Sequence, residues 1–264
     1  MYSSSNSRVH RRTISMTLAA SLLLAACGGG GGTDTNTPPV PPPPTPAIAD
    51  NVFFSIPPAS DVIATINKAG YLRAYDMSTS SQLLTIALGN APIKGTGTSA
   101  VGNGWLSSAG IFAQSTVSLT SNSGASTYTL KAQSASGQAS NSAMQLSTHL
   151  VTPTLSTLAG SYGVISDYSI VVNGNSFTGN LGYECSWSGI LSPNNKTIDV
   201  THITFENTKN LTGLACSYAG KEYTGTAFLL GTSAAYAKGV LIINFDDGGS
   251  SMPTMSRLYY FIRQ

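Results

Sequence analysis

Three cysteines, three histidines, eleven carboxylates and many serines are the first candidates in this chain for covalent or acid–base chemistry. A serine hydrolase needs a positioned serine, histidine and acid. Serines are plentiful, but no Gly-x-Ser-x-Gly elbow and no Ser-x-x-Lys occurs. His10 lies in an amino-terminal basic segment, leaving His149 and His202, which are too isolated for metal-ligand spacing. The neighbours Thr201 and Ile203 place His202 inside a strand, as a hydrogen-bonded structural residue. Asp246-Asp247-Gly248-Gly249 lacks the alternating acidic positions of a calcium loop and reads as a hairpin turn. Glu184 and Glu206 would form a carboxylate pair only if folding brought them together. No Cys-x-x-Cys is present, so neither a redox motif nor a zinc knuckle is supported. Catalytic, cofactor and metal residues are therefore not assigned.

The cysteines divide by position. Arg8, His10, Arg11 and Arg12 form a positive segment, followed by an apolar run from Ile14 to Ala26. A membrane-spanning helix needs about 20 apolar residues, so this run is too short to remain as a span and reads as an export signal. Cys27 follows it directly. Cys185 and Cys216 then lie in an oxidising compartment and permit one internal bridge, with two buried free thiols as the alternative. Such a bridge would contribute roughly 3–4 kcal/mol through loop entropy.

Leu24-Ala25-Ala26-Cys27 resembles the lipobox of bacterial lipoproteins. The resemblance implies a thioether-linked diacylglycerol on Cys27, loss of residues 1–26 and an acylated new amino terminus, so that the lipid anchor makes the membrane a partner. Each buried CH₂ contributes about 0.8 kcal/mol, and the two or three chains of such an anchor suffice for stable attachment. Gly28 stands where an aspartate would favour inner-membrane retention, so the resemblance implies the outer membrane. The run Gly28–Gly32 is similar to tethers of surface lipoproteins of the transferrin-binding protein B and factor H-binding types.

Composition narrows the class. Loss of Arg8, Arg11 and Arg12 leaves ten Lys and Arg against eleven Asp and Glu, a net charge of −1. No basic run follows residue 12, which excludes a nucleic-acid partner. Only 9% of residues are charged, and Ser, Thr, Gly and Asn supply the polarity, which favours exported β structure over helix.

Residues 27–50 read as a tether, with Pro38, Pro39, Pro41–Pro44 and Pro46 forming a semi-rigid spacer of roughly 28 Å. The folded region starts near Asn51. Its first half, 51–152, carries strand patterns at Val62–Ile66, Tyr71–Tyr75, Leu83–Leu88, Val117–Thr120, Thr127–Leu130 and Ala143–Leu146. The breaks fall at Lys68-Ala69-Gly70, Gly89-Asn90, Gly102-Asn103-Gly104, Ser123-Gly124 and Ser136-Gly137. Residues 95–104 are nearly featureless, and 132–142 are polar throughout, as edge strands or loops. Leu150–Thr157 has no clear period and marks the boundary.

The second half, 153–264, is more regular. Tyr168–Val172 turns at Asn173-Gly174-Asn175 into Ser176–Thr178. Tyr183, Cys185, Trp187 and Leu191 alternate onto one face, as do Leu214, Cys216 and Tyr218. Thr197–Phe205, Tyr223–Leu230, Val240–Phe245 and Leu258–Ile262 complete about eight strands. Tyr259-Tyr260-Phe261 is apolar on both faces, which marks a central or seam-closing strand. The fold class is therefore all-β, with two small antiparallel domains, the second an eight-stranded barrel or sandwich.

The strand Cys185-Ser186-Trp187-Ser188-Gly189, with Cys216 and Gly225-Thr226-Ala227-Phe228 later, resembles proteobacterial outer-membrane lipoproteins with tandem small β domains. The resemblance covers most of residues 70–264 and implies no chemistry. Function is expected as a non-catalytic binding or interaction module at the outer membrane, surface-displayed if the tether resemblance holds. Its ligand, protein or small molecule, is unspecified. Trp105, Trp187 and twelve tyrosines are the candidate contacts, against packing in the core. The alternative is a periplasm-facing structural or assembly accessory, and the third reading is a hydrolase with an unrecognised site.

Overall fold

The computed structural model describes residues 48–56, 62–76, 86–92, 99–108, 111–122, 126–137, 139–165, 167–208, 215–232, 238–248, 253 and 255–264. The expected export signal, Cys27, residues 28–47 of the expected tether and the Leu83 end of one expected strand lie outside them, whereas residues 48–50, read as the end of the tether, belong to the fold. The described residues form seventeen strands and one four-residue helix, so the chain is all-β.

The first sheet contains β1 (Asn51–Ser55), β2 (Val62–Ile66), β3 (Tyr71–Asp76), β4 (Ile86–Pro92), β5 (Ser99–Ser108), β6 (Ile111–Ser121), β7 (Thr127–Ser134) and β8 (Ala139–Leu146). Every neighbouring pair is antiparallel, and β8 pairs back onto β1 through Phe53 and Leu146, closing a barrel. β4 and β5 are registered at Asn90 and Trp105. β7 shows the pattern that builds it: Leu130, Ala132 and Ser134 are buried, while Lys131 and Gln133 are exposed.

Two expected breaks are strand interiors instead. Gly89-Asn90 lies within β4, at a bulge opposite Ala74 and Tyr75, and Gly102-Asn103-Gly104 lies within β5. Glycine supplies no side-chain pattern, but closure of the ring offers these segments backbone partners on both sides. The polar stretch 132–142 forms the end of β7, a turn with Gly137 at φ +88°, and the start of β8.

A two-residue strand, β9 (Leu150–Val151), follows and pairs with the second sheet although it precedes residue 153. The helix α1 (Leu155–Leu158) is capped by Thr154, whose hydroxyl accepts the Thr157 N–H. The second barrel then runs through β10 (Gly160–Ile165), β11 (Tyr168–Asn173), β12 (Ser176–Leu181), β13 (Cys185–Pro193), β14 (Ile198–Asn207), β15 (Glu222–Leu230), β16 (Val240–Asp246) and β17 (Ser256–Arg263). Pairing of β14 with β15 and of β10 with β17 closes it, so β17 is the seam-closing strand.

Among the described residues both interiors are lined with buried side chains, as an eight-stranded barrel permits. The first is filled by aliphatic side chains with Phe53 and Met144. The second is filled by aromatics around Trp187, whose ring lies 4.7 Å from Phe177, 5.7 Å from Phe205 and 5.7 Å from Phe261. Gly189 makes this packing fit: a Cβ there would meet the Phe177 ring at 2.6 Å.

The barrels pack side by side. The outward faces of β1 to β3 meet those of β15 to β17, burying Val52, Ile63 and Tyr75 with Phe228, Val240, Ile242 and Leu258. This contact explains why β16 is buried at every position: its two faces serve two different cores. At the centre lies an ion pair, with Arg73 Nε donating to Asp246 Oδ2 at 2.6 Å. Arg73 Nη1 also donates to Thr226 Oγ1 at 3.1 Å, Asn244 Nδ2 donates to Thr65 Oγ1 at 3.0 Å, and the Tyr75 and Ser256 hydroxyls are 2.9 Å apart. Burial opposes the Arg73 charge, but Asp246 together with Tyr75 and Tyr71 outweighs it and raises the guanidinium pKa. Asp246 is thus the last residue of β16 and not part of a hairpin turn.

A second tie lies at the start of the fold. Asp50, at φ +55°, accepts from the backbone N–H groups of Asn195 at 3.0 Å and Thr197 at 2.8 Å, and from Thr197 Oγ1 at 2.7 Å. Lys196 Nζ donates to Asn51 Oδ1 at 2.7 Å. The chain therefore joins the first barrel while clamped to the β13–β14 turn of the second.

Candidate interaction surface

Among the described residues both interiors are lined with buried apolar side chains, and the exposed polar groups stand on the outer surfaces. In an up-and-down barrel, alternate connections emerge at the same end. The connections β10–β11, β12–β13, β14–β15 and β16–β17 of the second barrel share one end, here called the loop pole. The β13–β14 turn held by Asp50 lies at the opposite end, the clamp pole.

The disulfide organises the loop pole. Cys185 and Cys216 are bridged, with Cα atoms 5.0 Å apart, tying the start of β13 to the β14–β15 connection. Cys216 N donates to Asn207 Oδ1 at 2.6 Å, and Thr208 N donates to Glu184 O at 2.9 Å. The Thr208 hydroxyl also donates to Tyr183 O. Asp247 accepts from Lys221 Nζ at 3.0 Å and from Met255 N at 2.8 Å, fixing the neighbouring connection.

Tyrosines line this pole. Tyr183 does not share the inward face of Cys185 and Trp187, as alternation alone predicts. It precedes β13 in a turn and is 68% exposed. Its hydroxyl is hydrogen-bonded to the Asp167 carboxylate, which raises its pKa. Tyr168 and Tyr218 are half-buried, with the Tyr218 and Tyr259 hydroxyls 3.3 Å apart and Tyr218 against the Phe205 ring at 5.1 Å. Burial, and then Asp247, pushes Tyr223 up to about 12, while burial also raises Tyr168 and Tyr259. These phenols stay neutral at physiological pH and act as hydrogen-bond donors with flat apolar faces.

The remaining candidate residues are dispersed. Glu206 lies opposite Ser186 on β14, and Glu184 stands in the turn before β13, not directly opposite it. His202 occupies an exposed bulge at φ +51°, and its Nδ1 lies 2.8 Å from Glu222 Oε1. His149 lines a half-open cleft of about 220 Å³ with Phe54, Leu146, Leu230 and Gly231, between the barrels. Trp105 is half-buried in β5, and Trp187 is core. Among the described residues, no group of three His, Cys, Asp or Glu is placed to hold a metal ion. No helix among them is long and apolar enough to cross a membrane.

Sequence reasoning missed Asp50, Arg73 and Asp246 as organising residues. Each acts through a partner more than 140 positions away, beyond the reach of local pattern. No protein-family model, curated protein or solved structure matches this chain.

Proposed function

We propose that this chain is an outer-membrane protein held by lipid on Cys27, and that it acts as a non-catalytic binding module presenting the loop pole of its second barrel. One observation carries the binding reading. Among the described residues the barrel interiors hold buried apolar side chains, whereas the tyrosine-lined loop pole is held in shape by a disulfide and a set of hydrogen bonds. Rigid tyrosines give contact area at low entropic cost, which is the economy of a preformed recognition surface. The lipid reading is supported by Leu24-Ala25-Ala26-Cys27 behind its apolar run.

The test is protease shaving of intact cells expressing the full chain, beside Cys27→Ala. Surface display predicts that the folded part is removed from intact cells and that Cys27→Ala is lost from the membrane fraction. Protection until lysis would place the chain on the periplasmic face and favour an envelope accessory. An unchanged membrane fraction for Cys27→Ala would refute the lipid anchor.

A further inference from the structure

The chain passes from the first barrel to the second through residues 147–149, and this crossing forms one wall of the cleft between them. The crossing is pinned at both ends. Ser147 N donates to Val52 O of β1 at 2.9 Å, and His149 O accepts from Gly231 N, just past β15, at 2.9 Å. His149 N also donates to Ser147 Oγ at 3.4 Å. The cleft thus has a fixed frame, made of β1 and β8 on one side, the crossing, and the end of β15 on the other.

Its lining divides into an apolar floor and a polar rim. Phe54, Leu146 and Leu230 are half-buried and form the floor. The Phe54 ring is held by an edge-on contact with the buried Phe228, with centroids 6.2 Å apart. Phe54 and Gln145 stand opposite each other on β1 and β8, which sets an amide beside that ring. Gln145, Thr148 and His149 are exposed and form the rim. Among the described residues, nothing hydrogen-bonds the Gln145 amide, the Thr148 hydroxyl or the His149 ring.

We propose that this cleft binds a small uncharged aromatic molecule, one substituted ring or two fused rings, that carries a hydroxyl or a ring N–H. Size, charge and hydrogen bonding select that class. A closed apolar cavity of about 150 Å³ takes up benzene, and this half-open cleft, at about 220 Å³, offers somewhat more room. No Asp, Glu, Lys or Arg lines it, so an ionised ligand would lose its hydration without gaining a counter-ion. The rim amide, hydroxyl and imidazole can each give or take a hydrogen bond, and the Phe54 ring favours a flat partner over an aliphatic chain. The cleft lies at the clamp-pole end of β15, so the inference does not depend on the role of the loop pole. A ligand there touches both barrels and their crossing, and so fixes the angle between them.

The test uses the full chain in detergent micelles, with ¹³C-labelled leucine methyls followed by NMR during titration with indole. The Leu146 and Leu230 signals should shift and saturate, while Leu119, buried inside the first barrel, stays still. Uptake of indole by the micelles does not saturate at those two methyls alone, so it is not mistaken for binding. Indene, which lacks the N–H, should bind about fivefold more weakly, and indole-3-carboxylate about tenfold or more weakly. Gln145→Ala with His149→Ala should bring indole down to the affinity of indene. Thr148→Trp places a ring over the cleft from an exposed position and should raise the indole Kd about tenfold or more. No saturable shift at Leu146 and Leu230, or a Kd unchanged in Thr148→Trp, overturns the site. Equal affinities for indole and indene, or hexan-1-ol binding at the same methyls as tightly as indole, overturn the ligand class.

Discussion

Arg73 and Asp246 stand 173 residues apart in sequence, yet Arg73 Nε lies 2.6 Å from Asp246 Oδ2, and both side chains are buried. This pair joins two barrels that each close on their own hydrogen bonds. Deleting one partner leaves a buried charge unpaired, which costs about 3–5 kcal/mol, whereas an apolar pair of similar volume can be neutral. Arg73→Met alone should therefore lower the urea midpoint strongly, and Arg73→Met with Asp246→Leu should recover most of the loss. A double variant no better than the single one would show that the charge itself is required.

The disulfide makes a separate prediction. Reduction, or Cys216→Ser, should destabilise the second barrel by about 3–4 kcal/mol through loop entropy. Hydrogen exchange should accelerate first around Tyr183 and residues 215–219, because the bridge anchors that connection to β13. Uniform acceleration across both barrels would contradict a local role.

Gly189 and Phe177 should be coupled. A methyl at position 189 would sit 2.6 Å from the Phe177 ring, so Gly189→Ala should cost about 1–3 kcal/mol by overpacking. Adding Phe177→Leu should return part of that loss. Denaturant unfolding of the four members of this double-mutant cycle gives the coupling, and strict additivity would disprove it.

Alkaline pH should weaken the fold in a defined window. Tyr71, raised by burial and then by Asp246, and Tyr223 both reach about 12 in the folded chain, above the ordinary phenol value of 10.0. A proton held more tightly in the folded state stabilises it fully below pH 10, and that contribution is lost as pH rises towards 12. Tyrosinate absorbance should therefore show a late-titrating class, and the melting temperature should fall across the same interval. Titration of every tyrosine near 10 without unfolding would refute this.

The two halves were legible to different degrees, for a physical reason. β13 and β16 carry large apolar residues whose period is visible, so the second barrel and the face holding Cys185 and Trp187 follow from pattern. β5 is written in serine, asparagine and glycine and becomes a strand through β6, with which it pairs from Ser99 to Ser108. Tyr183 was misplaced because alternation was carried two residues past the true start of β13. The relationships that unite the molecule were invisible, because a lone arginine and one aspartate acquire their meaning only when distant strands meet.

The Asp50 clamp has a mechanical consequence. A pull on the chain ahead of residue 48 does not load the first barrel alone. The carboxylate of Asp50 is gripped by Thr197 and the amides beside it, so tension passes at once into the β13–β14 turn of the second barrel. Under drag the two barrels share the load from the first residue of β1, and peeling β1 off β2 requires breaking the clamp first.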